Sequence, residues 1–244
     1  MDTILQLAAL LRNAKNIACL TGAGMSTESG IPDYRSTNGL YRTLTSEEVF
    51  DIDRFNSDPT EFYKVIGPLY CSIVEAKPNA GHLALADLES KFGKNVSIAT
   101  QNIDGLHQKA NSSKVFEVHG TMKTLTCRRC GAQVSSDGYL PLFKNGETLR
   151  CKCGGVFKPD ITFYGENLPE KAFMDSFDAF RNADLALVLG TSLAVYPAAS
   201  LPSYKPAECK LVIINRSETA MDDEANLVIN DSIGNVLPKA LELI

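Results

Sequence analysis

The sequence predicts an α/β fold with a parallel sheet and a small zinc-binding module, and three observations carry that prediction. Apolar runs at 16–21, 96–99, 115–118, 185–189 and 211–215 alternate with amphipathic helical stretches, the pattern of a sheet covered by helices. Most of these runs end in polar or glycine-rich turns. Parallel order would gather the turns on one rim, where open α/β sheets bind ligands. A cluster of four cysteines interrupts the alternation and needs an explanation of its own.

The chain of 244 residues has room for one large core, or a core with a small inserted module. Net charge is -5 with no basic run, which argues against nucleic acid as a direct partner. The chain opens on an amphipathic helix with apolar residues at 4, 7, 8 and 11. That stretch is too short to span a membrane and carries an acid where a signal peptide needs a base, so no membrane association and a cytoplasmic location are expected.

A buried strand at 16–21 leads into Gly22-Ala23-Gly24-Met25-Ser26-Thr27 and a helix start, the layout in which backbone N–H groups meet a pyrophosphate. The dinucleotide fingerprint is incomplete. Thr27 stands where the third glycine belongs, and no later strand supplies the acid that would hold the adenosine ribose. An ordinary hydride-transfer site is therefore not expected. The turn-rich stretch 30–41 reads as a binding loop, with Arg35 as a phosphate contact. A helix is predicted to begin with Asp58 as N-cap, Pro59 at N1 and Glu61 reaching back, and to end near Lys77-Pro78. A further amphipathic helix covers 81–92, with Leu85, Leu88 and Phe92 facing inward.

The strand at 96–99 delivers Gln101, Asn102 and Asp104, groups suited to gripping a ribose or a carboxamide. The strand at 115–118 delivers His119, which can exchange a proton near neutral pH. Seven cysteines without an export signal make a disulfide framework a poor reading. Cys127 and Cys130 form one close pair and Cys151 and Cys153 another. Four thiolates so spaced are a zinc signal, and a site filled by four cysteines is closed and structural. The second pair is Cys-x-Cys, which tightens its bite. Beyond it the sheet is expected to resume after 158–169, with a helix over 169–182 carrying Phe173, Phe177 and Phe180 on one face. Strands at 185–189, 211–215 and 227–229 and a closing helix over 234–243 complete the chain.

Taken together, Gly22-Ala23-Gly24-Met25-Ser26, Gly30-Ile31-Pro32-Asp33-Tyr34-Arg35, Thr100-Gln101-Asn102-Ile103-Asp104, His119-Gly120, the four cysteines, Phe163-Tyr164-Gly165-Glu166 and Gly190-Thr191-Ser192-Leu193 resemble the sirtuin family, the NAD-dependent protein lysine deacylases. The resemblance runs from residue 16 to the C-terminal helix, and the prokaryotic branch is the nearest in pattern. It implies a discontinuous Rossmann-like domain over 1–33, 82–124 and 157–244, a cofactor-binding loop and helical insert over 34–81, and a zinc module over 125–156.

It also implies site residues. Ala23, Gly24, Thr27, Tyr34 and Arg35 would line the NAD pocket, and Gln101, Asn102, Ile103 and Asp104 would hold the nicotinamide ribose and carboxamide. Gly190, Thr191, Ser192, Asn215, Ser232 and Ile233 would face the adenosine half. Thr162, Tyr164, Gly165, Glu166, Leu193 and Val195 would meet the acyl-lysine peptide. His119, with Asn102, would be catalytic, the histidine acting as general base on a ribose hydroxyl that attacks the bound acyl carbon. The products would be free lysine, nicotinamide and O-acyl-ADP-ribose. NAD is then consumed as a co-substrate, and one Zn2+ is structural.

Three departures stand out: Met25 for the commoner Ile, the Cys-x-Cys pair, and Lys158 and Thr162 where the family often has Arg and Val. Tyr63 and Ile66 match a Tyr-x-x-Arg that acidic-acyl sirtuins carry, with Ile66 in the Arg position. A neutral short acyl group, acetyl first, is therefore expected. An NAD or ADP-ribose binding module and a mono-ADP-ribosyltransferase are the alternatives on the same fold. Retention of Gln101, Asn102, Asp104 and His119 together argues against a pure binder. A monomer is plausible.

Overall fold

The computed structural model describes residues 2–33 and 49–244. In chain order the described elements are α1 (Thr3–Asn13), β1 (Asn16–Thr21), α2 (Ile52–Ser57), α3 (Thr60–Glu75), α4 (Ala80–Ser90), β2 (Asn95–Thr100), α5 (Leu106–Lys109), β3 (Val115–Glu117), β4 (Gly120–Cys127), β5 (Gln133–Ser135), α6 (Leu140–Lys144), β6 (Phe157–Ile161), α7 (Glu170–Arg181), β7 (Leu185–Leu189), β8 (Lys210–Ile214), β9 (Leu227–Ile229) and α8 (Ile233–Leu241). They fold into two compact units. One comprises Met1–Ser29, Lys77–Val118 and Pro169–Ile244, the other Gly30–Ala76 and His119–Leu168.

The first unit is a six-stranded sheet in the order β3-β2-β1-β7-β8-β9, every neighbouring pair parallel. Side chains alternate across its faces because successive strand residues point opposite ways. Ile17, Cys19, Leu185, Leu187, Leu189, Val212 and Ile214 point to the face covered by α1, α4 and α8. Ala18, Leu20, Ala186, Val188, Leu211 and Ile213 point to the face covered by α7 and the 3-10 stretch Ala198–Tyr204. A strand buried on both faces reads as a continuous apolar run, which is why β1, β7 and β8 are plain in the sequence. Truncating a fully buried leucine such as Leu187 to alanine would cost about 2–5 kcal/mol.

The helix ends follow local rules in most places. Asp2 caps α1 through Ile4 N–H, and Leu7, Ala8 and Leu11 are its buried stripe. Asn79 caps α4 in a capping box with His82, and Leu85 and Leu88 are fully buried there. The order of strands places a switch point between β1 and β7, where connections leave in opposite directions and open a crevice at the strands' carboxyl ends.

The second unit holds a three-stranded antiparallel sheet in the order β5-β4-β6. Its core is aromatic. Phe50, Phe55, Phe62 and Phe163 meet one another at centroid distances between 5.1 and 6.0 Å, mostly edge to face. Tyr63 and Tyr70 of α3 pack on Phe143 of α6. Such pairs add about 0.5–1.5 kcal/mol each beyond the area they bury.

Several expectations need correction. Residues 119–124 and 157–168 were expected in the Rossmann-like domain, yet they belong to the second unit, because β4 and β6 pair with each other in the antiparallel sheet. The helical insert and the zinc-bearing segment share one aromatic core instead of forming separate modules. No α-helix follows Gly22-Ala23-Gly24; two 3-10 turns, Ala23–Met25 and Thr27–Ser29, take its place. Pro59, not Asp58, is the N-cap residue of α3, and Asp58 Oδ1 accepts from Thr60 N–H at 2.9 Å. Glu61 reaches to Arg54 at 2.6 Å instead of back to the cap, and α3 ends at Glu75, ahead of Lys77-Pro78.

Candidate functional site

The carboxyl ends of β1, β2 and β7 carry a hydrogen-bonded rim within the first unit. Gly24 N–H donates to Gly190 O at 2.8 Å, and Gly22 N–H to Leu189 O at 3.1 Å, so the turns after β1 and β7 lie against each other. This contact requires glycine on both sides. A Cβ on Gly24 would sit 2.8 Å from the Gly190 Cα, and Gly190 has φ +62° with a Cβ position 2.4 Å from Met25 N. Thr27, in the place of a third glycine, donates its hydroxyl to Gly24 O at 3.0 Å and closes the 3-10 turn. Asn79 ties the same turn down through Met25 O at 2.8 Å and Ser29 Oγ at 3.0 Å.

The loop after β2 is held from beneath. Gln101 Nε2 donates to Thr191 Oγ1 at 3.0 Å, linking it to the β7 turn. Asn102 turns its Nδ2 inward, to Gly22 O at 2.9 Å and Ser26 Oγ at 3.1 Å. That orientation fixes the side chain and leaves Oδ1 as the group it offers. Ser26 in turn donates to Asp104 Oδ2 at 2.6 Å, while Asp104 Oδ1 accepts from Leu106 N–H at 2.9 Å. Gly105, at φ +68°, makes the turn into α5. Gln101, Asn102, Asp104, Gly190 and Thr191 are thus brought together, and Gly22 and Ser26, motif residues with no expected site role, join them.

Other expected positions fall as follows. Ala23 and Ile103 are half-buried on the same two turns. Thr191 Oγ1 accepts from Leu193 N–H at 3.3 Å, and Leu193 is a buried non-glycine residue at φ +55°, a conformation uncommon outside functional turns. Val195 follows it, half-buried, and Ser192 precedes it, half-buried. Asn215 ends β8 with its N–H on Ile229 O at 3.2 Å and its Nδ2 on Ser217 O at 2.7 Å. Ser232 stands at the N-cap of α8 without a side-chain cap bond, and Glu28 Oε2 accepts from Gly234 N–H of that helix at 2.9 Å. Ile233 buries its side chain in the core, so only its backbone can face a ligand. Tyr34 and Arg35 lie outside the described residues.

In the second unit His119 is half-buried in the turn between β3 and β4, and its carbonyl accepts from Thr162 N–H at 2.9 Å. Tyr164 is 39% exposed, but its backbone N–H and C=O are both taken, by Phe50 O and Ile52 N–H. Half-buried Thr162 and exposed Gly165, at φ +88°, flank the same segment. Glu166 is engaged internally: Oε2 accepts from Phe163 N–H at 2.9 Å and meets Lys158 Nζ at 2.8 Å. Lys158 is buried, also donates to Ile161 O at 2.7 Å, and lies 4.1 Å from the Phe163 ring centroid. Burial pulls its ammonium pKa down, and the Glu166 carboxylate opposes that pull. Tyr63 is fully buried with its hydroxyl donating to Phe157 O, and Ile66 is buried beside it on α3. Tyr63 is accordingly a core residue here rather than an open pocket wall.

The four cysteines converge. Their Sγ atoms all lie within 4.8 Å of one another, with Cys127 and Cys153 at 3.5 Å and Cys130 and Cys151 at 3.8 Å. A tetrahedral Zn–S bond of about 2.3 Å implies sulfur–sulfur edges of about 3.8 Å, so the set fits zinc. No pair is disulfide-bonded. The N–H groups of Cys130 and Arg129 lower the Cys127 thiol to about 6. Ala132 N–H pulls Cys130 down, but the neighbouring sulfurs of Cys153, Cys127 and Cys151 outweigh it and push that thiol up to about 12. Crowded sulfurs that resist sharing negative charge are the surroundings a divalent cation relieves. With four sulfurs on the metal no position is open for water, so this zinc would hold the fold and supply no nucleophile.

A Sir2 family model matches residues 22–197. An NAD-dependent protein deacetylase of Clostridium perfringens is 43% identical over 251 residues, covering 99% of both chains. One of Thermotoga maritima is 41% identical, covering 96% of this chain and 95% of its own. Among solved structures, Sir2 with a deacetylated p53 peptide and 3'-O-acetyl ADP-ribose superposes with a TM-score of 0.91 at 40% identity, over 97% of this chain and 96% of that one. Sir2 with a p53 peptide and NAD+ gives 0.89 at 38% identity, over 99% and 98%. The match in sequence and in fold over nearly the whole chain leads to one conclusion: the chain belongs to the Sir2 family.

Proposed function

We propose that this chain is an NAD-dependent protein lysine deacetylase, releasing free lysine, nicotinamide and O-acetyl-ADP-ribose. The observation that carries the reading is end-to-end likeness to relatives named NAD-dependent protein deacetylase, 43% identical with 99% of both chains covered. The polar rim at the switch point supports it. Gln101, Asn102 and Asp104 are locked onto the Gly22–Ser26 and Gly190–Thr191 turns, a set of amide and carboxylate groups suited to a ribose and a carboxamide.

NAD supplies the ADP-ribosyl group that receives the acyl chain. Asn102 and Asp104 orient the nicotinamide ribose, and Gln101 and Ile103 contact the carboxamide side. Ala23, Gly24, Thr27, Tyr34 and Arg35 line the NAD pocket, and Gly190, Thr191, Ser192, Asn215, Ser232 and Ile233 meet the adenosine half. His119 takes the proton from a ribose hydroxyl as that oxygen attacks the acyl carbon. Thr162, Tyr164, Leu193 and Val195 receive the peptide, Gly165 shapes the backbone there, and Glu166 acts through Lys158 by holding the segment. One zinc on Cys127, Cys130, Cys151 and Cys153 stabilises the second unit. A cytoplasmic location is part of the same reading; among the described residues no helix is long and apolar enough to cross a membrane.

The test is product analysis with an acetyl-lysine peptide and NAD, for wild type and His119→Ala. Wild type should release nicotinamide and O-acetyl-ADP-ribose in equal amounts. His119→Ala should lose about two to four orders of magnitude in turnover while still binding NAD. ADP-ribosylated protein without deacetylation, or NAD binding without turnover, would replace this reading with a transferase or a binding module.

A further inference from the structure

His82 and His107 have no place in the chemistry described so far. They are 0% and 1% exposed, on α4 and α5, and their ring centroids lie 4.7 Å apart. Their hydrogen bonds dictate their tautomers. Asn79 N–H points at His82 Nδ1 at 3.4 Å, so that nitrogen is an acceptor and the neutral ring carries its proton on Nε2. His107 Nε2 lies 3.1 Å from Thr21 Oγ1, and the threonine hydroxyl gives its own proton to Thr100 Oγ1 at 2.9 Å. His107 Nε2 is then the donor, and its Nδ1 keeps a lone pair. The two atoms left over, His82 Nε2 and His107 Nδ1, are buried and have no hydrogen-bond partner among the described residues. One is a donor and the other an acceptor, on adjoining rings.

We propose that His82 Nε2–H and His107 Nδ1 are joined by one shared water, which accepts from the first and donates to the second, completing a buried relay that positions Asn102. From His107 the relay passes to Thr21 and Thr100, and Thr100 Oγ1 also accepts the Asn102 N–H at 3.0 Å. Buried polar groups are almost always paired, and a donor on one ring and an acceptor on the adjoining ring are both satisfied by a single bridging water. The arrangement needs both rings neutral, since a second proton would set two donors face to face. Burial supplies that condition. It pushes His82 down to about 4 against the pull of Asp104 and Glu28, and it holds His107 well below the ordinary imidazole value, with the His82 charge acting in the same direction. Both histidines are positioning residues, and the proposal rests on the role given to Asn102 under the deacetylase reading.

Two substitutions separate the relay from the helix cap. His82→Asn keeps an acceptor for Asn79 N–H but removes the Nε2 donor; His82→Gln keeps a donor at the Nε2 position but gives up the cap. In the zinc-loaded full-length protein, His82→Asn should fold normally yet lose about tenfold or more in kcat, as misplacement of a reacting group does. KM for the acetyl-lysine peptide should stay within about twofold. His82→Gln should melt lower than His82→Asn yet recover most of the turnover. Equal losses in both variants, or the reverse ranking, overturn the proposal. Nitrogen-15 NMR of the chain's 3 histidines gives an arm independent of activity. It should find two imidazoles fixed as the Nε2–H tautomer across about pH 5.5–8. An Nδ1–H form of either ring, or titration of either in that window, also overturns it. Should wild type release no nicotinamide, the deacetylase reading fails and the spectrum still decides the histidine pair.

Discussion

Removing one hydroxyl, by Ser26→Ala, would test how tightly the rim is pre-set. Ser26 is 1% exposed and bridges two expected ribose-binding groups, donating to Asp104 Oδ2 at 2.6 Å and accepting from Asn102 Nδ2 at 3.1 Å. The bond to the carboxylate is charge-assisted and worth about 1.5–3 kcal/mol. Part of the loss is offset, because Asp104 keeps Leu106 N–H at 2.9 Å and Asn102 keeps Gly22 O at 2.9 Å. The net is about 2 kcal/mol, which in a chain of this size lowers Tm by roughly 4–8 °C. Turnover should suffer more than stability. With Asn102 free to swing on a single remaining side-chain bond, kcat should fall about tenfold to a hundredfold, with KM for the peptide little changed. Thermal unfolding of zinc-loaded protein and steady-state nicotinamide release, measured well below the melting range, read the two effects separately. Ser26→Cys, which restores a weak donor, should recover part of each. A Ser26→Ala protein that melts with wild type and turns over within about twofold would refute the claim that this hydroxyl locks the rim.

Metal analysis should find one zinc per chain, and stripping it should cost the second unit its cooperative unfolding together with activity; full turnover by verified zinc-free protein would contradict a structural metal. Acid should weaken the first unit through His82. His82 sits below its ordinary value of 6.5, at about 4, so the folded state binds fewer protons than the unfolded state between those two values. Stability is therefore full above about pH 6.5 and falls by up to about 3 kcal/mol as pH drops toward 4, and a His82→Gln protein should show a shallower acid slope in denaturant melts. On one peptide, kcat/KM should rank acetyl above succinyl, because Ile66 offers no cation on α3 and an unpaired carboxylate in an apolar site costs several kcal/mol. Equal or faster removal of succinyl would overturn that ranking. Sir2 structures related to this chain include one bound to a propionylated peptide, so propionyl is the natural third arm of the assay.

What could be read in advance follows from how local each signal is. β1, β7 and β8 are legible because both faces are buried and the apolar run needs no partner to explain it. Four sulfurs in two close pairs identify a metal site without any fold. β6 is harder. Phe157-Lys158-Pro159-Asp160-Ile161 does not look like a strand, since Lys158 survives burial only through Glu166 and the carbonyl of Ile161. Its antiparallel pairing to β4, with Leu125 opposite Pro159, is a long-range fact. The unit boundaries depend on that pairing and were misplaced with it. Pro59 was expected one residue further into α3 because Asp58 was read as its N-cap; Asp58 instead follows α2 directly and spends its carboxylate on Thr60 N–H. The histidine pair had no sequence signal at all, for residues 82 and 107 meet only once α4 and α5 are packed.

The missing third glycine now has a physical reason. In a dinucleotide fold that glycine lets a helix pack closely on the first strand. Here no α-helix follows β1; two 3-10 turns do, and Thr27 fits between them by donating to Gly24 O at 3.0 Å. The glycine constraint moves across the switch point instead, to Gly190, whose backbone abuts Gly24 and Met25. The turn is locked to its neighbour, to Asn79 and through Asn102 to Ser26, and is stiff for that reason. A fold that must break the glycosidic bond of its nucleotide has more use for a rigidly held ribose than for a helix dipole under the pyrophosphate. On that argument Gly190→Ala should damage turnover beyond its effect on stability, because it would pry apart the two turns from which Gln101 and Asn102 are hung.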